Sequence, residues 1–547
     1  MRKPIIMLYL LSILAVFLVP ATSSAAPLSI QADRQEAAYG ETVKVTGTAP
    51  ASSWIVLRVL DERQSIVVFD SAKSDADGRY RFAFIVPASA SPGKLNVQTG
   101  SGTDVSALTI AIKTAGAGSG PEIQPSPAPS QTPAPSPAAT VNGGTITIKP
   151  ALSQTPDGRT VAGMALQSED LLAALKHSGS ITVTADTGSA DIAVASVSAQ
   201  ALKQAMSSVK EAKLNLAVSF ASYELPLQTL DLDSLAKQLQ TTTDKLEIRI
   251  KLAKADTKQN ADTAGAIAGL GAKQAAEAVD FAVEAVYNGQ TVPVVQFGGA
   301  YINRTLPMPN VVDPNAATGV MIGPKGSLLF VPSVFKQENG KWTAQLKRTG
   351  NSLYTVIENR KSFRDTDSHW AKADVELLAS KLIVQGATAD TFQPDTGITR
   401  AQFTAIIVRA LGLSEQSGSS FRDIAAADWY SGAVTAAAEA ELVSGYEDGS
   451  FRPNAPITRE ELAVLMSGAL RYAGKQGDAS RTEQLLTAFQ DRGELSAWSR
   501  DAVAAIVDAG VTEGKSEGRY EGKAQATRAE TAAMVRRFLI KAEFINR

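Results

Sequence analysis

Short runs of alternating hydrophobic and polar residues fill the chain from residue 27 to residue 113. Turn residues separate these runs at short intervals, which is typical of a small antiparallel β-sandwich. The runs are Val43 to Val45, Ile55 to Val59, Ile66 to Phe69, Tyr80 to Val86, Leu95 to Val97 and Leu108 to Ile112. We therefore predict an all-β domain over residues 27–113. Within it, Asp75-Ala76-Asp77-Gly78 is interpreted as a turn rather than a calcium loop, because no closing glutamate follows at the required distance.

Two hydrophobic periods alternate between residues 141 and 360. A helical face is followed by runs with the period of two that marks strands, at Leu214 to Phe220 and Leu246 to Leu252. The helical face consists of Leu202, Ala205, Met206 and Val209, and further strand-like runs lie at 292–295, 328–331 and 353–357. The pattern predicts a central α+β stalk region of one or two modules, 141–360, without an identifiable chemistry.

Two further segments have no pattern of a folded domain. Arg2 and Lys3 precede a 15-residue apolar run and small residues, which together predict a signal peptide, residues 1–25, cleaved after Ala25. The run is shorter than the ~20 residues that a membrane-spanning helix needs. Residues 114–140 are rich in Pro, Ser and Ala and carry one charge, so they are predicted to form an extended linker.

Composition excludes several function classes. The 547 residues include 53 basic and 55 acidic side chains, no cysteine and two histidines. Disulfides, thiol catalysis and thiolate metal sites are therefore excluded, and we expect no metal site and no cofactor. A nearly neutral chain also lacks the concentrated basic surface that nucleic-acid binding requires. With no span after the leader, we expect a secreted protein that is held at the cell non-covalently, and self-association is left open.

The last 185 residues contain one pattern three times. In each copy a tryptophan precedes a glycine by 16 residues and an arginine by 30, and an aromatic-x-Asp sequence opens the copy. The same spacing in three copies indicates one structural unit used three times. The tryptophans are Trp370, Trp429 and Trp498, the glycines Gly386, Gly445 and Gly514, and the arginines Arg400, Arg459 and Arg528.

Each of the three arginines follows a threonine and precedes a Gln or Glu by two residues. This is the sequence of a capping box, which places the arginine in the first turn of a helix. A cation is unfavourable at the positive end of a helix dipole unless an anion joins it. The guanidinium and the exposed amides would both favour an anionic ligand.

The repeats closely resemble S-layer homology (SLH) domains of Gram-positive surface proteins. Copy two has the full pattern, from Phe421-Arg422-Asp423 through Gly445-Tyr446 to Thr458-Arg459-Glu460-Glu461. The resemblance gives repeats at 363–413, 421–472 and 489–547 and implies an all-α pseudo-threefold SLH trimer. It implies non-covalent binding to a secondary cell-wall polysaccharide, commonly pyruvylated and attached to peptidoglycan. It also implies that the three arginines, with the glycines and tryptophans above, line the grooves. The sandwich pattern more weakly resembles bacterial immunoglobulin-like (Ig-like) modules.

The three copies differ in sequence, and these differences predict which groove binds the polysaccharide best. Copy one has Gln385-Gly386-Ala387 where Gly-Tyr is usual, and copy three has Gly522-Lys523 for Pro-Asn and Ala526 for isoleucine. We therefore expect the groove of copy two, with Arg459, to bind best. Two alternatives stay open: each arginine is paired structurally with an Asp of its own or a neighbouring copy, and each tryptophan packs in the core, which we favour over stacking on sugar.

Three functions fit these observations. The first is a cell-surface protein of the cell wall or S-layer, anchored by its repeats, with a structural or adhesive N-terminal part and no enzymatic activity. The second is an SLH-anchored carbohydrate-active enzyme with a carboxylate pair in 141–360, where Trp342 is the only tryptophan. The third is a secreted ligand-binding module that acts through the Ig-like domain. We favour the first.

Overall fold

In this computed structural model the chain divides into two compact units, residues 1–131 and 132–547. The structure describes residues 28–113 and 139–547, apart from 39–40, 52, 61, 63–65, 76, 87–92, 102–103, 156, 296, 311, 324–325, 417, 419–420 and 516–517. The predicted signal peptide and the predicted linker up to residue 138 lie outside the described residues.

The first unit contains two sheets that share one core. Its strands are Gln31–Ala32, Glu36–Ala37, Thr42–Thr48, Trp54–Leu60, Ile66–Lys73, Arg79–Ile85, Lys94–Ser101 and Asp104–Ile112 (β1–β8). Three strands form one sheet in the order β1-β3-β6, and five form the other in the order β2-β8-β7-β4-β5. Alternate residues such as Val43 and Val45 in one sheet and Leu57 and Val59 in the other are buried in the same core. All six predicted runs are strands.

The turn predicted at residues 75–78 is present. The Asp75 carboxylate accepts hydrogen bonds from the backbone N–H groups of Asp77 and Arg79, at 3.0 and 2.7 Å. Gly78 has a φ of 75°, a conformation that glycine adopts without a steric penalty. The segment therefore serves as the turn that leads into β6.

The central region is mostly β, with four α-helices among its described residues. Its strands are Thr140–Asn142, Thr145–Thr147, Ala151–Gln154, Thr160–Leu166, Ser180–Thr184, Ile192–Ser198, Lys213–Val218, Ala221–Pro226, Glu247–Lys254, Lys273–Gln274, Val279–Tyr287, Gln290–Pro293, Ile302–Met308, Ala317–Ile322, Leu328–Val331, Ser333–Glu338, Lys341–Arg348 and Leu353–Glu358 (β9–β26). Its helices are Ser168–Leu175, Ala199–Ser208, Leu232–Gln238 and Thr257–Leu270 (α1–α4). Helices thus contribute less than the α+β prediction implied.

Two large sheets of the central region face each other across a common core. One has the order β24-β25-β21-β16-β15-β13-β10-β9, and the other runs β11-β12-β14-β17-β19-β26-β22-β23. The runs predicted from Leu214 and Leu246 form β15 and β17, whose alternate residues are buried. Of the predicted helical face, Leu202, Ala205 and Met206 lie on α2, whereas Val209 follows the helix with an extended backbone. The period of two therefore identified these strands correctly, because each has one face on the core.

The repeats are helical and joined by irregular segments. Their helices are Lys372–Ser380, Arg400–Ala410, Ser431–Glu439, Arg459–Tyr472, Thr482–Leu486, Arg500–Asp508 and Arg528–Lys541 (α5–α11). Backbone hydrogen bonds link the copies in a closed ring: the N–H of Ile457 donates to the carbonyl of Ile398, that of Ala526 to Ile457 and that of Ile398 to Ala526, at 3.0–3.1 Å. Each copy therefore contacts both others just before its arginine helix.

The central region and the repeats share a continuous apolar boundary. Phe330 of β23 is buried within the core of the repeats. The ring of Tyr301 packs against Phe544 at 5.0 Å, and its hydroxyl donates to the carbonyl of Leu411 at 2.8 Å. The backbone N–H of Ser333 donates to the carbonyl of Phe544 at 2.8 Å. The repeats therefore pack directly against the central region, and binding experiments are best done on the full chain.

A buried lysine at this boundary makes stability depend on pH. Lys381 donates from Nζ to the carbonyls of Pro314 and Ala317, at 2.8 and 2.7 Å. Burial lowers its pKa to about 7, and Asp313 only partly opposes this. Above pH 7 the folded chain releases this proton, while the unfolded chain keeps it up to a pKa of about 10.4. The unfolded state then binds more protons, so stability rises with pH in this window.

We expect the free energy of unfolding of this unit to increase between about pH 7 and about pH 9.5, on the order of 3 kcal/mol from Lys381 alone. Urea unfolding followed by tryptophan fluorescence measures it, since four of the five tryptophans lie in 132–547. Lys381→Met should remove this increase. The same pH dependence in Lys381→Met would show that other groups cause it.

Candidate functional site

The three arginines begin helices, as the sequence predicted. Thr399, Thr458 and Thr527 are N-caps, and each forms a complete capping box with the Gln or Glu three residues later. This box satisfies amides at the helix start and fixes the path of the chain into it. Each guanidinium is thereby carried to the boundary between two copies.

The aspartates of the opening Phe-x-Asp sequences have a different role from the ion pairs considered above. Each accepts hydrogen bonds from the backbone N–H groups of two consecutive residues, the first of which is the aromatic residue 22 positions after the tryptophan of that copy. For Asp423 these are Phe451 and Arg452, both at 2.7 Å. Arg452 has a φ of 57°, so the carboxylate holds a left-handed turn. Although burial acts to raise it, these amide bonds hold the pKa of Asp423 below its usual value. Asp365 and Asp491 make the equivalent contacts.

Each arginine contacts the next copy in a cycle. Arg400 of copy one donates to the carbonyls of Phe451 and Ser444 in copy two, at 3.0 and 3.1 Å. Arg459 of copy two donates to the carbonyl of Tyr520 in copy three at 2.8 Å. Arg528 of copy three donates to the carbonyls of Phe392 and Gln385 in copy one, both at 2.8 Å. Each guanidinium also lies over the aromatic ring of that copy, 4.3–5.0 Å from its centroid.

The three glycines allow a close approach of backbone to ring. A Cβ added at Gly445 would lie 2.6 Å from the ring of Phe421, and the equivalent distances are 2.5 Å for Gly386 and 2.6 Å for Gly514. No L side chain fits at that separation without a shift of the ring. The glycines therefore shape the loops whose carbonyls meet the arginines.

The three tryptophans are exposed, so the interpretation that they pack in the core is wrong. Between 59 and 65% of each of Trp370, Trp429 and Trp498 is accessible to solvent. The phenylalanine or tyrosine rings of the copies occupy the core instead. Exposed indole rings are suited to stack on sugars, which was the alternative.

Two grooves are built from all three copies. The Arg400 groove, of about 790 Å³, is lined by Arg400 of copy one, Gly445 and Tyr446 of copy two and Trp498 of copy three. The Arg528 groove, of about 350 Å³, is lined by Arg528 of copy three, Gly386 of copy one and Trp429 of copy two. The structure therefore brings an arginine, a glycine loop and a tryptophan together, but each from a different copy.

The expected ranking in favour of Arg459 rested on one copy supplying both the arginine and the complete loop. The structure separates them, because the copy-two loop lies against Arg400 and Arg459 lies against copy three. Arg459 is 4% exposed, and its Nη1 pairs with Glu530 at 3.3 Å. Its surroundings are those of a structural ion pair, although the partner is the capping glutamate and not Asp423.

The two grooves differ in charge at the residue that completes the capping box beside the arginine. In the Arg400 groove Glu461 completes the capping box, lies 3.8 Å from Arg400 and accepts the hydroxyl of Tyr446 at 2.8 Å. Although burial acts to raise it, these hydrogen bonds keep the pKa of Glu461 below its usual value, so it is ionised. The Arg528 groove has Gln402 at this position and Ala387 where copy two has Tyr446. The first groove therefore opposes its arginine with a carboxylate and the second does not.

The lining of the Arg528 groove is consequently the more positively charged of the two. Its described lining contains Arg528 and Arg409 and no carboxylate, whereas the Arg400 groove also contains Glu441, Asp478 and Asp501. Arg528 is only partly buried, and its Nη1 has no hydrogen-bond partner among the described residues. Burial lowers the pKa of Arg528, and the charge of Asp365 opposes this shift only in part. Gln402 and Arg409 were not predicted from the sequence. The signal for Gln402 was the glutamine of Thr-Arg-Ala-Gln in copy one, where the other copies have glutamate. The two residue types were treated as equivalent because both complete a capping box.

Comparison with known proteins identifies the repeats. The S-layer homology domain matches residues 362–404, 420–463 and 488–532. Amylopullulanase of Thermoanaerobacterium thermosulfurigenes is 34% identical over 202 residues, 37% of this chain and 11% of the relative. Exoglucanase XynX of Acetivibrio thermocellus is 35% identical over 195 residues, 34% of this chain and 17% of the relative. The cellulosome-anchoring protein of A. thermocellus is 27% identical over 161 residues, 28% of this chain and 35% of the relative.

These matches place the protein at the cell surface. S-layer homology domains bind cell-wall polysaccharide, and their presence implies anchoring to the wall. The chain spans less than a fifth of the first two relatives, and the likeness to the glycoside hydrolases is confined to the repeats. None of the helices in the described ranges has the length and apolar character needed to cross a bilayer. The chain is therefore a cell-surface, cell-wall-associated protein with three C-terminal S-layer homology domains.

Proposed function

We propose that the repeats anchor the chain non-covalently to an anionic secondary cell-wall polysaccharide, pyruvylated and attached to peptidoglycan, and that the Arg528 groove is the principal contact. The observation that carries this proposal is the set of groups in that groove: two arginines and no carboxylate among its described lining residues. A carboxylate substituent on a sugar would meet a guanidinium there, at the start of α11, that no carboxylate of the described lining opposes.

Three further features of the groove support a sugar acid. The Arg528 guanidinium presents a planar fork, which matches carboxylate geometry better than an ammonium does. The Oε1 of Gln402 accepts the N–H of Thr399 at 3.1 Å, so its Nε2 donor is left for the groove. The exposed indole of Trp429 offers a flat apolar face to the sugar ring.

The remaining parts of the chain have a structural or adhesive role in this proposal, and the chain is not an enzyme. The cyclic hydrogen bonds between the copies support a pseudo-threefold arrangement of the repeats. The two-sheet core of residues 28–113 is compatible with an Ig-like module. The activities in the names of the glycoside hydrolases do not transfer to residues 141–360, because the likeness does not extend there.

Sedimentation with cell-wall sacculi tests this function. The full chain should sediment with sacculi that retain their polysaccharide and stay in the supernatant with sacculi from which acid has removed it. Sacculi that retain the polymer but lack its pyruvate should bind about tenfold or more weakly, since the loss of a charge-assisted contact costs ~2–5 kcal/mol. Equal binding to stripped sacculi would indicate peptidoglycan as the ligand, and equal binding without pyruvate would contradict the electrostatic account.

A further inference from the structure

A large cleft adjoins the Arg528 groove where the central region meets copy one. This junction cleft has a volume of about 1180 Å³ and is walled by α4, the β22–β23 hairpin, residues 359–361 and parts of copy one. It shares Gln385, Gly386 and Arg409 with the lining of the Arg528 groove. The two cavities therefore meet at a common rim, and a chain molecule that leaves the groove across this rim enters the cleft.

The Arg409 side chain stands at this rim with no hydrogen-bond or ion-pair partner among the described residues. It is only partly buried. Burial lowers its pKa, and Glu415 acts to raise it. The neighbouring cations of the cleft are already engaged: Arg360 pairs with Asp313 at 2.8 Å, and Lys361 donates to the carbonyl of Ala389 at 2.6 Å. A partly desolvated guanidinium whose donors meet no acceptor among the residues that the structure describes is suited to receive an acidic group.

The walls of the cleft match the amphipathic surface of a glycan. Leu270 at the end of α4 is 41% exposed and faces the cleft together with Met321 and Leu328. Asn359 and Ser414 add polar groups to the lining. The described charged residues are Arg360, Lys361 and Arg409 against Glu415, an excess of positive charge. Apolar patches with a few polar groups are typical of sites for sugars and other organic ligands.

We propose that the junction cleft is a second subsite for the same acidic wall polysaccharide. The polymer is held at Arg528 by one acidic sugar, crosses the rim at Arg409 and continues along the cleft over Leu270. The central region then contributes to the binding surface, in addition to being attached to the wall by the repeats. This inference rests on the function proposed above, and it predicts that affinity grows with polymer length beyond a single repeat.

Two glycines in α4 provide a matched pair of variants. Gly269 lines the cleft, whereas Gly265, one turn earlier, is not among its lining residues. Both are exposed, and a Cβ added at either meets nothing within 4 Å. Replacing a glycine inside a helix also reduces the entropy cost of folding it. Gly269→Trp should therefore fill the cleft, and Gly265→Trp should place the same side chain in solvent.

The test uses wall polysaccharide released from sacculi by mild acid and separated into single-repeat and multi-repeat fragments. In calorimetry with the full chain, Gly269→Trp should weaken binding of the long fragment about tenfold and change that of the short one less than about twofold. Gly265→Trp should match the wild type with both, and Arg409→Gln should weaken the long fragment more than the short one. Circular dichroism establishes that each variant is folded.

The outcomes separate the cleft from the anchoring function. If Gly269→Trp binds the long fragment as well as Gly265→Trp does, or loses equal affinity for both fragments, the cleft is not a subsite. If Gly269→Trp gives either of these results but Arg528→Ala loses binding, the anchoring function is supported and only the subsite is overturned. If the wild-type chain binds neither fragment, both the function and the subsite are overturned.

Discussion

Arg528→Ala should weaken binding of the acidic wall polymer about thirtyfold or more, and Arg400→Ala should weaken it much less. Truncation of a charge-assisted contact costs ~2–5 kcal/mol, and every 1.4 kcal/mol is about tenfold in affinity. Arg528 meets a ligand with no opposing carboxylate in its groove, whereas Arg400 already lies near Glu461. Calorimetry with the full chain and the purified polymer measures both losses. Equal losses in the two variants would contradict this ranking of the grooves.

A substitution at residue 402 is the matched control for this account. Gln402→Glu copies the residue that copies two and three have in the same capping box, so the helix start should remain intact. The new carboxylate would oppose Arg528, and we expect about tenfold weaker binding with an unchanged melting temperature. Glu461→Gln, the reverse exchange, should strengthen binding of the acidic polymer at the Arg400 groove. An unchanged affinity in Gln402→Glu would show that charge does not decide binding at this groove.

Arg459→Ala should mainly destabilise the repeats, by about 3 kcal/mol. Arg459 is almost fully buried, donates to the carbonyl of Tyr520 and pairs with Glu530. Removing one partner of a buried pair leaves the other without compensation, which typically costs 3–5 kcal/mol; Lys515, 3.4 Å from Glu530, offsets part of this. Thermal unfolding measures the change.

The double variant Arg459→Met, Glu530→Gln is the control for this prediction, because it removes both charges and keeps an acceptor for the capping box. It should be more stable than Arg459→Ala. A normal melting temperature with a large loss of polymer affinity in Arg459→Ala would instead restore Arg459 as the leading binding residue.

The elements that sequence reasoning located are those with local causes. The capping boxes at Thr399, Thr458 and Thr527 depend on residues three positions apart, and the central strands on a period of two. The composition of the grooves could not be read in this way. Arg400 meets a loop 44 residues further along the chain, and Arg528 one that lies 143 residues earlier, and no local pattern records such contacts.

Exposure was likewise hidden from the sequence. A tryptophan that recurs at fixed spacing is consistent with a core or with a surface, and Trp429 turned out to be exposed beside the buried Tyr430. The junction cleft was hidden for a further reason. It arises where Leu270 and Phe330 of the predicted central region meet Arg409 of the first predicted repeat, and no local pattern records such a meeting.

The composite grooves also constrain how the repeats can evolve. The Arg400 and Arg528 grooves each draw on all three copies, so deleting one copy would remove part of both sites rather than one site of several. Duplicating a single copy would likewise supply an arginine without its loop. We therefore expect selection to preserve the three copies together. Within this set of copies a groove can specialise only through single-residue changes such as the glutamine at position 402.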